Sequence, residues 1–195
     1  MTGRKDNGDT LVEVMFSFAV FSLVVVSGLV IFNQGIAMAQ RSLEITLVRQ
    51  QIDSQIAMVQ QAQQADSPAW QALKAADNIV DNPGPFSDVE SCPNPSSLAK
   101  AQFLGIDAAT RQVTRYPADS STYFSHAPVY SIVDLQGAAT GNVPHTYGLW
   151  MMLARAEEQA GTNIAYDLHV RACWDSMGTN RPMTIGTVVR LYAIN

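Results

Sequence analysis

The sequence predicts an α+β protein in which one long N-terminal helix, apolar in its first half and amphipathic in its second, packs on a C-terminal antiparallel β-sheet. Three observations carry that expectation. Met15 to Phe32 is an eighteen-residue run without a charge, no proline occurs between Met1 and Pro68, and β-prone segments fill the last third of the chain.

The apolar run is broken only by Ser17, Ser22, Ser27 and Gly28. It is long enough to span bilayer hydrocarbon, which takes about 20 helical residues at roughly 1.5 Å each. From Gln34 onward the character changes. Leu43, Leu47 or Val48, Ile52, Ile56 and Val59 recur at helical spacing as one stripe, while Gln50, Gln51, Asp53, Gln55, Gln60 and Gln61 populate other faces. A single helix from about Thr10 to Gln64, on the order of 80 Å long, accounts for both halves. Gly28 and Gly35 are its weak points.

Asp66-Ser67-Pro68 reads as a helix stop and restart, with Ser67 or Asp66 as N-cap of a short helix through Ala76. The turn-rich segments Asp81–Ser87 and Ser91–Ser97 mark residues 78–128 as mainly loop, with short strands or a helical turn. Strand candidates follow at Val129–Val133, His145–Leu153, Ile164–Trp174 and Thr184–Tyr192, linked closely enough for an antiparallel meander. In the third of these, Ile164, Tyr166, Leu168, Val170, Ala172 and Trp174 share the face expected against the long helix, and Asp167, His169, Arg171 and Cys173 share the other. Residues 149–158 read equally well as strand or helix.

The segment ahead of the apolar run carries the functional signal. Residues 1–8 hold Arg4 and Lys5 and end in Gly8, and Asp9-Thr10-Leu11-Val12-Glu13 follows. Basic residues there favour a cytoplasmic N-terminus and an extracytoplasmic bulk. A secretory signal peptide would place its cleavage site after the apolar core, whereas here the small residue precedes it. Glu13 stands at the mouth of the span, where an ionised carboxylate costs several kcal/mol unless it is paired. The plainer alternative is a glutamate complementing a helix dipole, worth about 0.3–1 kcal/mol.

Gly8, Thr10, Leu11 and Glu13, in this order ahead of an apolar helix, resemble the type IV pilin and pseudopilin family, whose precursors carry a short basic leader ending in glycine. The resemblance covers about the first 50 residues. It implies a pilin-like fold, cleavage between Gly8 and Asp9 by a prepilin peptidase, and N-methylation of the new amine on Asp9. It further implies a structural filament subunit whose assembly segment includes Thr10, Leu11 and Glu13, with Glu13 paired to a neighbour's N-terminal amine. The partners so implied are other pilin subunits, an inner-membrane assembly platform with its ATPase, and the lipid bilayer before assembly. The expected organisation is a leader 1–8, a transmembrane and filament-core helix 9–35, and a head 36–195 with a variable loop region 78–128 and a sheet 129–195. Asp9 stands where the family more often has an aromatic residue or Met, and the proline that major pilins often carry within the apolar segment is missing. The alternative is a bitopic extracytoplasmic binding module on an uncleaved anchor.

Composition limits the other classes. A net charge of -5, shifting to -6 once Arg4, Lys5 and Asp6 leave with the leader, gives no support to direct nucleic-acid binding. No G-x-S-x-G, phosphate-binding glycine loop, C-x-x-C or H-E-x-x-H occurs, so neither an enzyme nor a metal or other cofactor is expected. His126, His145 and His169 are scattered, and His169 beside Asp167 and Arg171 reads as a solvated sheet face. Trp70, Trp150 and Trp174 read as core or interface anchors. Cys92 and Cys173 would face an oxidising exterior, either as a disulfide worth a few kcal/mol or as two buried thiols.

Overall fold

The computed structural model describes residues 9–84, 90–156, 165–176 and 178–192. The chain divides into two compact units, Met1–Ser42 and Leu43–Asn195. Helix α1, Asp9–Gln64, contributes to both. In the first unit every residue from Leu11 to Ser42 is exposed. Two of the polar breaks in the apolar run are satisfied within the helix: the Ser22 and Ser27 hydroxyls donate to the Phe18 and Leu23 carbonyls at 2.8 and 2.7 Å.

The second unit packs residues 43–64 of α1 on a sheet built from both halves of the remaining chain. Its strands are β1 (Ile79–Val80), β2 (Gln102–Ile106), β3 (Val113–Pro117), β4 (Phe124–Ser125), β5 (Ile132–Asp134), β6 (His145–Tyr147), β7 (Leu149–Arg155), β8 (Ala165–Trp174) and β9 (Met183–Tyr192). The main sheet runs β3-β2-β7-β8-β9, with β1 added parallel to β7, and a small sheet runs β4-β6-β5. β7, β8 and β9 form the last three strands of the expected antiparallel meander, whereas the first, expected at Val129–Val133, is β5 at Ile132–Asp134 and pairs with β6 in the small sheet. Leu168, Val170, Ala172 and Trp174 of β8 are fully buried in one core with Val48, Ile52 and Val59 of α1.

Two features of the sheet depart from the sequence expectation, and one open reading is decided. The main sheet is not confined to residues 129–195, because β1 and the β2–β3 hairpin enter it from the stretch read as mainly loop. His145–Leu153 is not one strand: Gly148, at φ +64°, breaks it so that β6 joins the small sheet and β7 the main one. The ambiguous stretch from residue 149 is strand as far as Arg155. The short helix α2, Pro68–Leu73, is capped by Ser67, whose hydroxyl accepts from Trp70 N, and a 3₁₀ turn at Ala76–Asn78 follows. Cys92 and Cys173 are joined in a disulfide with Cα atoms 5.5 Å apart, closing a separation of 81 residues. Trp70, Trp150 and Trp174 are all buried.

The helix stripe also differs from its apolar reading. Leu43 is 62% exposed, whereas Gln55 is 1% exposed. The cause lies in the sheet: β2 is paired to β7 only at Gln102↔Met151, which leaves Leu104 without a strand partner on that side. The Gln55 side-chain amide takes the partner's place, donating from Nε2 to Leu104 O at 3.0 Å and accepting from Leu104 N at 2.9 Å. A Gln55→Leu variant keeps the volume but orphans two buried backbone groups, each worth roughly 1–3 kcal/mol. The expected loss is about 2–4 kcal/mol, read from chemical unfolding; an unchanged midpoint would remove Gln55 from this role.

Asp134, at the end of β5, organises the loop that leads to β6. Its carboxylate accepts from Gly137 N and Ala139 N, both at 2.9 Å. Burial pushes its pKa up, but the loop's N–H bonds outweigh that and hold it below the ordinary carboxylate value. A lowered folded pKa contributes stability that is present above the unfolded value and lost as pH falls through the folded one. Asp134→Asn is therefore expected to flatten the acid limb of the stability-versus-pH curve below about pH 4.

Candidate functional site

Residues 11–42 of α1 are exposed and form the candidate site. Leu11, Val12, Phe16, Phe18, Phe21, Leu23, Ile31 and Phe32 are each about two-thirds exposed and lie around the whole circumference. By length and composition α1 is apolar enough to cross a membrane, and a helix apolar all round requires an apolar environment. Glu13 is exposed near its start. Residues 9–40 contain no Lys, Arg or His, and the first basic residue after Glu13 is Arg41. The helix rise puts the Arg41 backbone about 42 Å along the axis from Glu13, several Debye lengths away and too far to pair with its carboxylate.

Of the residues singled out by sequence, Leu11 and Glu13 lie on this exposed first segment. Asp9 and Thr10 begin α1, with their side chains outside the described part, and Gly8 lies outside the described residues. Cys92 and Cys173 are bonded to each other in the head. The polar trio on β8 is occupied within the fold. Asp167 accepts two bonds from Arg190, at 2.8 and 2.9 Å, and this pairing lowers its pKa. Arg171 donates to the carbonyls of Pro83 and Gly84, at 2.8 and 2.5 Å. His169 is held below its ordinary pKa by burial and by the neighbouring Arg171. His145 engages Ser125 Oγ at 2.9 Å and the Thr122 carbonyl at 3.0 Å, joining β6 to β4 and the turn before it. Among the described residues no group of three or more His, Cys, Asp or Glu is placed to hold a metal ion.

Sequence reasoning passed over Glu44. It is 7% exposed, and its carboxylate accepts from Trp174 Nε1 at 3.0 Å and Ser176 Oγ at 2.6 Å. These bonds tie α1 to the end of β8. A signal was present, since Glu44 stands one helical turn before Val48 and so falls on the buried stripe. No family model, curated protein or solved structure matches the chain.

Proposed function

We propose that this protein is a pilin-type structural subunit, cleaved after Gly8, held in the membrane by the apolar half of α1, and assembled into a filament in which those helices pack together. The supporting observation is a helical surface, apolar and exposed on every side from residue 14 to 32, with the Glu13 carboxylate one turn from the point where cleavage would free an amine. Lipid tails and neighbouring apolar helices are similar solvents for that surface, so transfer between them needs little net hydrophobic free energy. Glu13 has no basic residue within reach on its own helix, and an amine at residue 9 of a neighbour would neutralise it and set the axial register between subunits. On this reading the partners are a prepilin peptidase, other pilin-type subunits and a membrane platform driven by an ATPase. The N-terminus faces the cytoplasm and the head lies outside.

N-terminal mass spectrometry of the protein from its native membranes or from a sheared surface fraction tests the proposal. A chain beginning at Asp9, with or without a methyl group, is the expected result. A chain still beginning at Met1 or Thr2 overturns it and leaves an anchored extracytoplasmic binding module.

A further inference from the structure

The serines of the apolar run differ in how their hydroxyls are held. Ser22 and Ser27 each donate to the carbonyl four residues before them, at 2.8 and 2.7 Å, so the helix itself satisfies them. Ser17 is exposed and, among the described residues, makes no hydrogen bond, although the Glu13 carbonyl stands at the same offset. Hydrocarbon offers no partner either, and an unpaired hydroxyl there is disfavoured. The Ser17 hydroxyl is therefore open to a second molecule.

Its position says what that molecule brings. Ser17 follows Glu13 by four residues and shares its face of α1. Helical side chains lean toward the N-terminus, which carries the Ser17 hydroxyl over the turn that begins at Glu13. In the other direction Ser17 lines a groove with Phe16, Val20, Phe21 and Val24, which holds no charged residue. A carboxylate and a hydroxyl thus stand one turn apart at the mouth of an apolar groove. No Lys, Arg or His occurs in residues 9–40, so the cation they suit comes from outside this segment. A lipid ammonium would bring its phosphate, a second negative charge, beside Glu13.

We propose that Ser17 is the second acceptor, beside Glu13, for the N-terminal ammonium of a neighbouring subunit, and that the groove receives the start of that neighbour's apolar run. The inference rests on the filament reading. An α-ammonium has three N–H groups and no lone pair, so a single carboxylate in a lipid-like medium leaves donors over. The Ser17 oxygen takes one of them, and its own O–H turns back to the Glu13 carboxylate. A methylated amine has two N–H groups, one for each acceptor, and its methyl group suits the apolar groove. Neighbours anchored in one membrane run parallel. An amine held between Glu13 and Ser17 then sets the neighbour four to eight residues higher, about 6–12 Å along the axis, with Val20, Phe21 and Val24 against its first apolar turns.

The test uses the full chain in its native cells and reads the ratio of chain in sheared filaments to chain in membranes. Ser17→Ala should lower that ratio roughly 3- to 20-fold, the range of one hydrogen bond between helices in a membrane. Alanine is the better helix former, so a weaker helix cannot be the cause. Ser17→Thr keeps a hydroxyl and should restore incorporation, and Ser22→Ala, which removes a hydroxyl held within the helix, should leave it unchanged. In a Glu13→Ala background, where the amine is no longer held, Ser17→Ala should cost nothing further. Wild-type incorporation of Ser17→Ala, an equal loss from Ser22→Ala, or the same Ser17→Ala loss with and without Glu13 would each overturn the proposal. A chain still beginning at Met1 or Thr2 would overturn it together with the filament reading, whereas a chain beginning at Asp9 with a neutral Ser17→Ala removes only the role of Ser17.

Discussion

Gly148→Ala is expected to destabilise the head by about 3–5 kcal/mol, a large share of the roughly 5–15 kcal/mol that holds a domain of this kind together. Two costs combine. Gly148 sits at φ +64°, a left-handed conformation that costs an L-residue roughly 1–2 kcal/mol. An alanine Cβ would also stand 2.2 Å from the Cys173 carbonyl oxygen and 2.9 Å from the Ala127 Cβ, contacts that backbone must move to relieve, with overpacking of this sort costing about 1–3 kcal/mol. Room to move is scarce. Cys173 N donates to Gly148 O at 2.7 Å, and the buried Ser131 hydroxyl donates to the Gly148 and Cys173 carbonyls at 3.0 and 3.2 Å. Cys173 is in turn bonded to Cys92. Gly141→Ala supplies the control, since Gly141 has φ +76° but open space around its missing Cβ. That variant should lose only the conformational part, about 1–2 kcal/mol. Chemical unfolding of both variants measures the difference; equal losses would show that close approach at Gly148 does not matter.

Under the proposed filament function, Glu13→Ala is expected to remove the protein from filaments while leaving its head folded and its membrane insertion intact. An amine left unpaired among packed apolar helices costs several kcal/mol, and each 1.4 kcal/mol is a factor of about ten in an equilibrium. The ratio of this chain in sheared filaments to that in membranes should therefore fall by roughly 100-fold or more. Glu13→Gln separates charge from shape, because it retains hydrogen-bonding atoms without neutralising the amine, and it should resemble Ala. Incorporation of Glu13→Ala at the wild-type level would rule out the pairing role. Disulfide formation between Cys92 and Cys173 in the membrane fraction reports that the head is still native.

The parts of this protein legible in its sequence are those whose signal is local. A helix repeats every 3.6 residues, so the uncharged run, the stripe through Val48, Ile52 and Val59, and the absence of proline before Pro68 mark α1 almost to its last residue. Alternation is equally local, and it placed Leu168, Val170, Ala172 and Trp174 on the buried face of β8. The proposal for Leu11 and Glu13 rests on the same kind of local signal, their position at the mouth of an apolar run, and the structure adds that both are exposed on α1.

What remained for the tertiary structure were choices of partner. Nothing within residues 102–117 says that their hairpin joins the same sheet as β7, or that Gly148 divides one apolar segment between two sheets, because strand pairing is decided by whichever edge is open nearby. Gln55 and Glu44 read as polar residues of a helix, yet both are buried, since Leu104 lacks a strand partner and the Trp174 indole and Ser176 hydroxyl need an acceptor. The two cysteines could be bonded or free until the fold brought residues 81 apart in sequence to within reach. Periodicity determined the elements; the hydrogen-bonding groups each element left unsatisfied determined what it was placed against.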